Sequence, residues 1–193
     1  MSNISAEQFV STCAEALRRG KSEDESGIYT DWLLSLLPMA LPAFAWKVAQ
    51  DTSKRGQLSF KFEIELGADG ASDPDVDLRQ MLKKALVFAT CEDLGKQDAA
   101  GENAKLIYKP NWQDVAEQAR YLDPQFAYYA VRGDRIVTRA SEGDAAVQGA
   151  LQIHCVYIPD FTSNFPLPYE LAGEAMEEVL SLALPGAAMN AKQ

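Results

Sequence analysis

His154 is the single imidazole in the chain, and imidazole is the side chain whose charge changes near neutral pH without outside help. It stands in the apolar run Leu151-Gln-Ile-His-Cys-Val-Tyr-Ile158, where a histidine reads as a structural or surface group rather than a base. No Gly-x-Ser-x-Gly elbow accompanies it, so Ser/His hydrolysis has no support. Cys13, Cys91 and Cys155 are far apart and odd in number. There is no Cys-x-x-Cys, and one histidine does not complete a Cys/His zinc site with them at known spacing. They read as buried thiols of a reducing compartment.

The acidic residues give no better site. Asp73-Pro-Asp-Val-Asp77 has the opening of a calcium loop, but that loop needs glycine at its sixth position and glutamate at its twelfth. Here those positions hold Leu78 and Lys84. Glu23, Asp24 and Glu25 sit in a polar stretch, Lys21 to Gly27, and read as solvated acids. Carboxylates abound, but spacing singles out none as a general acid. Arg132-Gly133-Asp134 is an adhesion tripeptide in form and a turn by context. The expectation is no catalytic residue, no metal site, no cofactor and no enzymatic activity.

The elements come next. Phe126 to Arg139 reads as two short strands joined at Gly133-Asp134, since glycine reaches positive φ freely and Asp tolerates it. Leu58 to Leu66 alternates apolar and polar residues without a break, predicting a strand with one buried and one wet face. Ala104 to Tyr108 and Gly149 to Ile158 supply further strands. Both faces of the last carry apolar groups, as in a strand covered on both sides. Helices are predicted at 5–19, capped by Ser5 with Phe9, Cys13, Ala16 and Leu17 inward, and at 31–37 and 42–50. Pro38 and Pro42 should separate those two. A further helix runs from an Asp73 cap and Pro74 to about Asp93, another from Asn111 over 112–121, and a last from Tyr169 to Leu184, stopped by Pro185-Gly186. Residues 96–103 and 141–148 read as polar loops.

The fold class is therefore α+β: a small, mostly antiparallel sheet (strands near 58–66, 104–108, 126–132, 135–139 and 149–158) packed with five or six helices. One domain of 193 residues is expected, long enough to bury a core without staples. Within it, 1–50 is a helical part, 51–185 an α+β core and 186–193 a flexible tail.

The formal charge of −10 repels phosphate backbones and anionic lipid heads, so broad nucleic-acid binding is disfavoured. Basic residues cluster only in pairs such as Arg18-Arg19, Lys54-Arg55 and Lys83-Lys84. The amino terminus has no cationic region or long apolar run, so no signal peptide is expected. Trp32 to Trp46 is strongly apolar but shorter than the roughly 20 residues of a bilayer span and interrupted by two prolines. It reads as buried helix or interface rather than membrane.

Trp112, Tyr121, Phe126, Tyr128, Tyr129 and Tyr157 read either as core or as an anchor patch for a partner. The residues carried forward as partner-facing are Trp32, Phe44, Trp46, Trp112, Tyr128 and Tyr169.

The order of elements resembles the small neck or head-to-tail adaptor proteins of tailed bacteriophages. The resemblance rests on Leu37-Pro-Met-Ala-Leu-Pro-Ala-Phe-Ala-Trp-Lys-Val-Ala49, Tyr108-Lys-Pro-Asn-Trp-Gln-Asp114 and Tyr128-Tyr-Ala-Val-Arg-Gly-Asp-Arg-Ile136. It continues with Val156-Tyr-Ile-Pro159 and Leu167-Pro-Tyr-Glu-Leu171 ahead of a final helix, and covers residues 37–185. It implies a non-enzymatic virion protein, assembled in the host cytoplasm as a ring of identical copies that docks on the portal and receives a tail component. Segment 32–46 and the tail after Pro185 would then make ring contacts, with no membrane and no specific nucleic acid as partner. The other reading is a small acidic cytoplasmic binding protein, of the immunity or inhibitor kind, that meets a basic partner.

Overall fold

A computed structural model describes residues 3–18, 26–73, 76–110, 127–139, 147 and 149–190. Its elements begin with β1 (Asn3–Ile4), α1 (Ala6–Arg18), α2 (Ser26–Gln50), β2 (Ser59–Leu66), α3 (Val76–Lys84) and β3 (Ala85–Gln97). They continue with β4 (Asn103–Tyr108), β5 (Ala127–Arg132), β6 (Arg135–Arg139), β7 (Gly149–Tyr157), β8 (Leu167–Pro168) and α4 (Ala172–Asn190). Short 3-10 turns at Arg55–Leu58 and Tyr169–Leu171 precede β2 and α4. The class is α+β, with four α-helices among the described residues. The chain forms two compact units: residues 1–58 with 157–193, and residues 59–156. The final helix thus falls in the same unit as the amino-terminal helices.

In the helical unit, α1 starts at a reciprocal cap. Ser5 Oγ accepts the Gln8 N–H at 3.2 Å, and Gln8 Oε1 accepts the Ser5 N–H at 3.3 Å. This satisfies two donors that a helix start leaves without partners. Phe9, Val10, Cys13 and Ala14 are the buried stripe. The two-stranded sheet β1–β8 pairs Asn3 with Pro168 and Ile4 with Leu167, a pairing too short to show any alternation in sequence.

α2 corrects an expectation. It runs unbroken from Ser26 to Gln50 through Pro38 and Pro42, instead of splitting into two helices. The carbonyls that lose their donors are those of Leu34 and Pro38, and both residues are exposed. Water can satisfy groups there, so the helix continues at a moderate cost. Its inward side, with Leu33, Leu37, Ala40, Leu41, Phe44, Ala45 and Val48 buried, packs against α1 and α4. Lys47 meets Glu178, and Lys54 meets Glu174 at 2.7 Å, tying the end of α2 and its following turn to α4.

α4 buries Ala175, Val179 and Ala183. It passes Pro185-Gly186 and ends at Asn190, beyond the predicted stop, so residues 186–190 are helical. Pro185 removes one donor, toward exposed Ser181, and the strong helix formers Ala187, Ala188 and Met189 follow.

The second unit is a curled, six-stranded mixed sheet of order β2-β7-β3-β4-β5-β6. β2 keeps the expected alternation, with Phe62 and Ile64 buried and Ser59, Lys61, Glu63 and Glu65 exposed. It is matched antiparallel to β7 from Ser59↔Val156 to Leu66↔Gly149. β5 and β6 form the predicted hairpin, closing at Arg132↔Arg135, with Gly133 at φ 66°. β4 and β5, however, are parallel, so the sheet is mixed rather than mostly antiparallel. A parallel pair needs a crossover of a dozen residues or more. The predicted helix 112–121 falls in that connection, outside the described residues.

β3 is the largest correction. The helix expected to reach Asp93 ends at Lys84, and Ala85–Gln97 is a strand between β7 and β4. Val87, Phe88 and Thr90 are types that suit a pleated surface, and strand pairing on both sides decides against the helical period.

The sheet also curls onto itself. After β2, Gly70 to Ser72 turns back to bridge Leu66↔Ser72 and Ala71↔Val137, so one segment links the first strand of the sheet to the last. The core inside holds Phe62, Ile64, Leu78, Cys91, Leu106, Tyr129, Ile136, Leu151, Ile153 and Cys155.

Candidate interaction surface

His154 lies on β7 opposite Lys61, half-buried, with Nε2 3.2 Å from Gln152 Oε1. Burial, then the nearby Lys61 ammonium, hold its pKa below the usual imidazole value. The ring is thus flanked by a cation and an amide. The three cysteines are free and buried. Burial pushes the Cys13 thiol up to about 11 and those of Cys91 and Cys155 up to about 12, so these thiols stay protonated near neutral pH. Among the described residues, no group of three or more His, Cys, Asp and Glu is placed to hold a metal ion.

The Arg-Gly-Asp triplet is a hairpin apex, as expected. Asp134 Oδ2 receives Arg79 from α3 at 2.6 Å. Around that pair lies a shallow, open cleft lined by Arg79, Leu82, Lys83, Val131, Gly133 and Asp134. Asp73, predicted as a helix cap, is fully exposed and 3.9 Å from Arg135, and the first helical positions after it are outside the described residues.

The partner-facing residues divide. Trp46 is 51% exposed and Tyr169 66%, Trp32 is half-buried, and Trp112 is outside the described residues. Phe44 and Tyr128, at 2% and 3% exposure, are core residues and are corrected on that ground. Phe44 is on the side of α2 that packs on its neighbours, and Tyr128 is buried on β5 with the Lys109 ammonium 5.7 Å over its ring. Of the sheet aromatics, Tyr129 is core and half-buried Tyr108 packs on it: their rings lie 5.3 Å apart, with Phe88 4.7 Å from Tyr108.

Beside Trp46, the outward face of α2 carries residues that sequence reasoning did not single out. Met39 is 66% exposed and Leu34 41%, with Pro38 and Ala43 also outward. The available signal was that α2 is apolar all round, the pattern of a helix covered on every side. Among the described residues, Thr30–Gln50 is long and apolar enough to cross a bilayer by length and composition, yet one side of it is already occupied by α1 and α4. What remains outward is an apolar stripe with Asp31 at one end and Lys47 at the other.

In comparisons with known proteins, no family model matches the chain and no curated protein matches its sequence.

Proposed function

We propose that the chain is a non-enzymatic virion component of the neck or adaptor kind, assembling with identical copies into a ring between portal and tail. The observation that carries this reading is the outward apolar face of α2, where Met39 and Trp46 stand in solvent. Exposed aromatic and methionine side chains in one stripe are the composition of a protein contact. The net charge of −10 suits a DNA conduit, because like charge keeps packaged DNA from adhering. The bacteriophage resemblance of the sequence supplies the place of assembly, the host cytoplasm, and the portal and tail partners. Sedimentation and native mass measurement test it: the expected result is a closed multimer that binds a portal ring. A monomer at high concentration with no portal binding removes it.

The same charge favours one other reading, an acidic binding protein of the immunity or inhibitor kind. Stoichiometric one-to-one capture of a basic protein, with no self-assembly, would select it.

A further inference from the structure

We propose that the cleft between α3 and the β5–β6 hairpin binds an acidic peptide segment, one that carries an apolar side chain beside its carboxylates. The proposal does not rest on self-association, since it concerns one chain and a separate partner.

The cleft has an apolar floor and a cationic rim. Leu82 of α3 and Val131 of β5 line it, and both pack inward against the core of the sheet, so the floor is fixed. The space is about 410 Å³ and open on one side, as suits the side chains of a segment lying across it. Gly133 leaves the hairpin end clear, since a Cβ added there meets nothing within 4 Å.

The cations stand in two like-charged pairs. Arg79 and Lys83 are one turn apart on α3 and both line the cleft, and like charges at that spacing repel. Arg132 and Arg135 face each other across the hairpin turn, where like charges also cost stability. The nearby carboxylates offset only part of this. Asp134 takes one terminal nitrogen of Arg79 at 2.6 Å, which leaves most of the guanidinium fork free in a side chain 51% exposed. Asp73 reaches Arg135 only at 3.9 Å. Lys83 and Arg132 are exposed and have no partner among the described residues. Among the described side chains, four cations thus face two carboxylates, in a chain whose net charge is −10. Charge complementarity selects an acidic partner, and the apolar floor selects one with a side chain to bury, which a phosphate backbone lacks. A carboxylate between Arg79 and Lys83 relieves their repulsion while its apolar neighbour covers Leu82 and Val131.

The full chain, isotope-labelled, is titrated with acetyl-Glu-Leu-Asp-Leu-Glu-amide while the backbone amide resonances of Leu82, Val131 and Gly133 are followed. They should shift saturably, and the uncharged counterpart acetyl-Gln-Leu-Asn-Leu-Gln-amide should bind about tenfold more weakly. K83E turns an attraction into a repulsion and should also weaken binding about tenfold. K105E, the same charge change on β4, should stay within about twofold of wild type. D134N should tighten binding, because it frees the Arg79 fork and removes a like charge. A cluster that only braces the hairpin gives no such gain. The amide spectrum of each variant reports whether the fold is kept. The proposal is overturned if no saturable shift occurs, if the uncharged peptide binds equally, or if K105E weakens binding as much as K83E. Weaker binding in a folded D134N also overturns it. So does a single-stranded oligodeoxynucleotide that shifts the same resonances at lower concentration than the peptide, which assigns the cations to nucleic acid.

Discussion

Ser72 donates its backbone N–H to the Ile136 carbonyl at 2.9 Å, and its hydroxyl receives the Ile136 N–H at the same distance. One residue thereby does for the edge of β6 what a short strand would do. Two residues along β6, the Thr138 N–H and hydroxyl both reach the Gly70 carbonyl, at 2.9 and 2.8 Å. An open sheet leaves a row of unpaired backbone groups at each edge, and closure removes part of that liability.

Ser72→Ala tests this closure. Ser72 is buried, so the substitution leaves the Ile136 N–H without an acceptor and should cost about 1–3 kcal/mol. Urea unfolding should show the loss at an unchanged slope, whereas Ser59→Ala, exposed on β2, should lie within about 0.5 kcal/mol of wild type.

Phe44 and Trp46 are two residues apart on α2 and opposite in environment, at 2% and 51% exposure. Phe44→Ala empties a core position and should cost about 3–5 kcal/mol. Trp46→Ala should change monomer stability by less than about 0.5 kcal/mol while reducing the native mass of the assembly. If Trp46→Ala stays folded and leaves the native mass unaltered, the outward face has no role in assembly.

The same pair shows what was legible in the sequence. Local features could be read directly: Leu58–Leu66 alternates through its whole length, and Gly133-Asp134 carries its turn in its own residue types. Ser5 likewise announces the start of α1. The misread parts depend on distant partners. Ala85–Gln97 fits a helical stripe as well as a strand until β7 and β4 flank it, and the parallel β4–β5 pair follows from a long crossover. The apolar residues of α2 are alike as a string, so only the packing of α1 and α4 separates Phe44 from Met39. No catalytic constellation was legible in the sequence, and the structure sets His154 opposite Lys61 with its ring at Gln152.

Alkaline pH should destabilise the protein. Burial raises the Cys13 thiol to about 11 and the Cys91 and Cys155 thiols to about 12. The folded chain therefore keeps protons that the unfolded chain releases from about pH 8.5 upward. Stability from this source is complete below that pH and is lost as pH rises toward 11 and 12. The urea midpoint should fall progressively across that window, and Cys13→Ala should make the fall shallower. A thiol reagent at pH 8 should label these cysteines only as fast as the chain opens.

His154 responds in the opposite sense. Burial first, and Lys61 second, depress its folded pKa, so near pH 6 the unfolded chain binds the extra proton. Stability should rise with pH through the imidazole range and be lost below it. Lys61→Gln removes one depressing charge, and the imidazole resonance followed by NMR should titrate at higher pH than in wild type. An unchanged or lower titration point would mean that the Lys61 charge does not reach the ring.

Gly133 has φ 66°, a region that side-chain-bearing residues occupy at a cost. A methyl group added there meets nothing within 4 Å, so Gly133→Ala probes backbone conformation alone. It should lower stability by about 1 kcal/mol. Gly56 makes the control, since its added methyl is also unobstructed and its φ lies outside the left-handed range. Gly56→Ala should be neutral or slightly stabilising by restricting the unfolded chain. If the two substitutions have equal effects on thermal unfolding, the β5–β6 turn does not require the left-handed residue, and the hairpin register set by Arg132↔Arg135 must be held by the strands themselves.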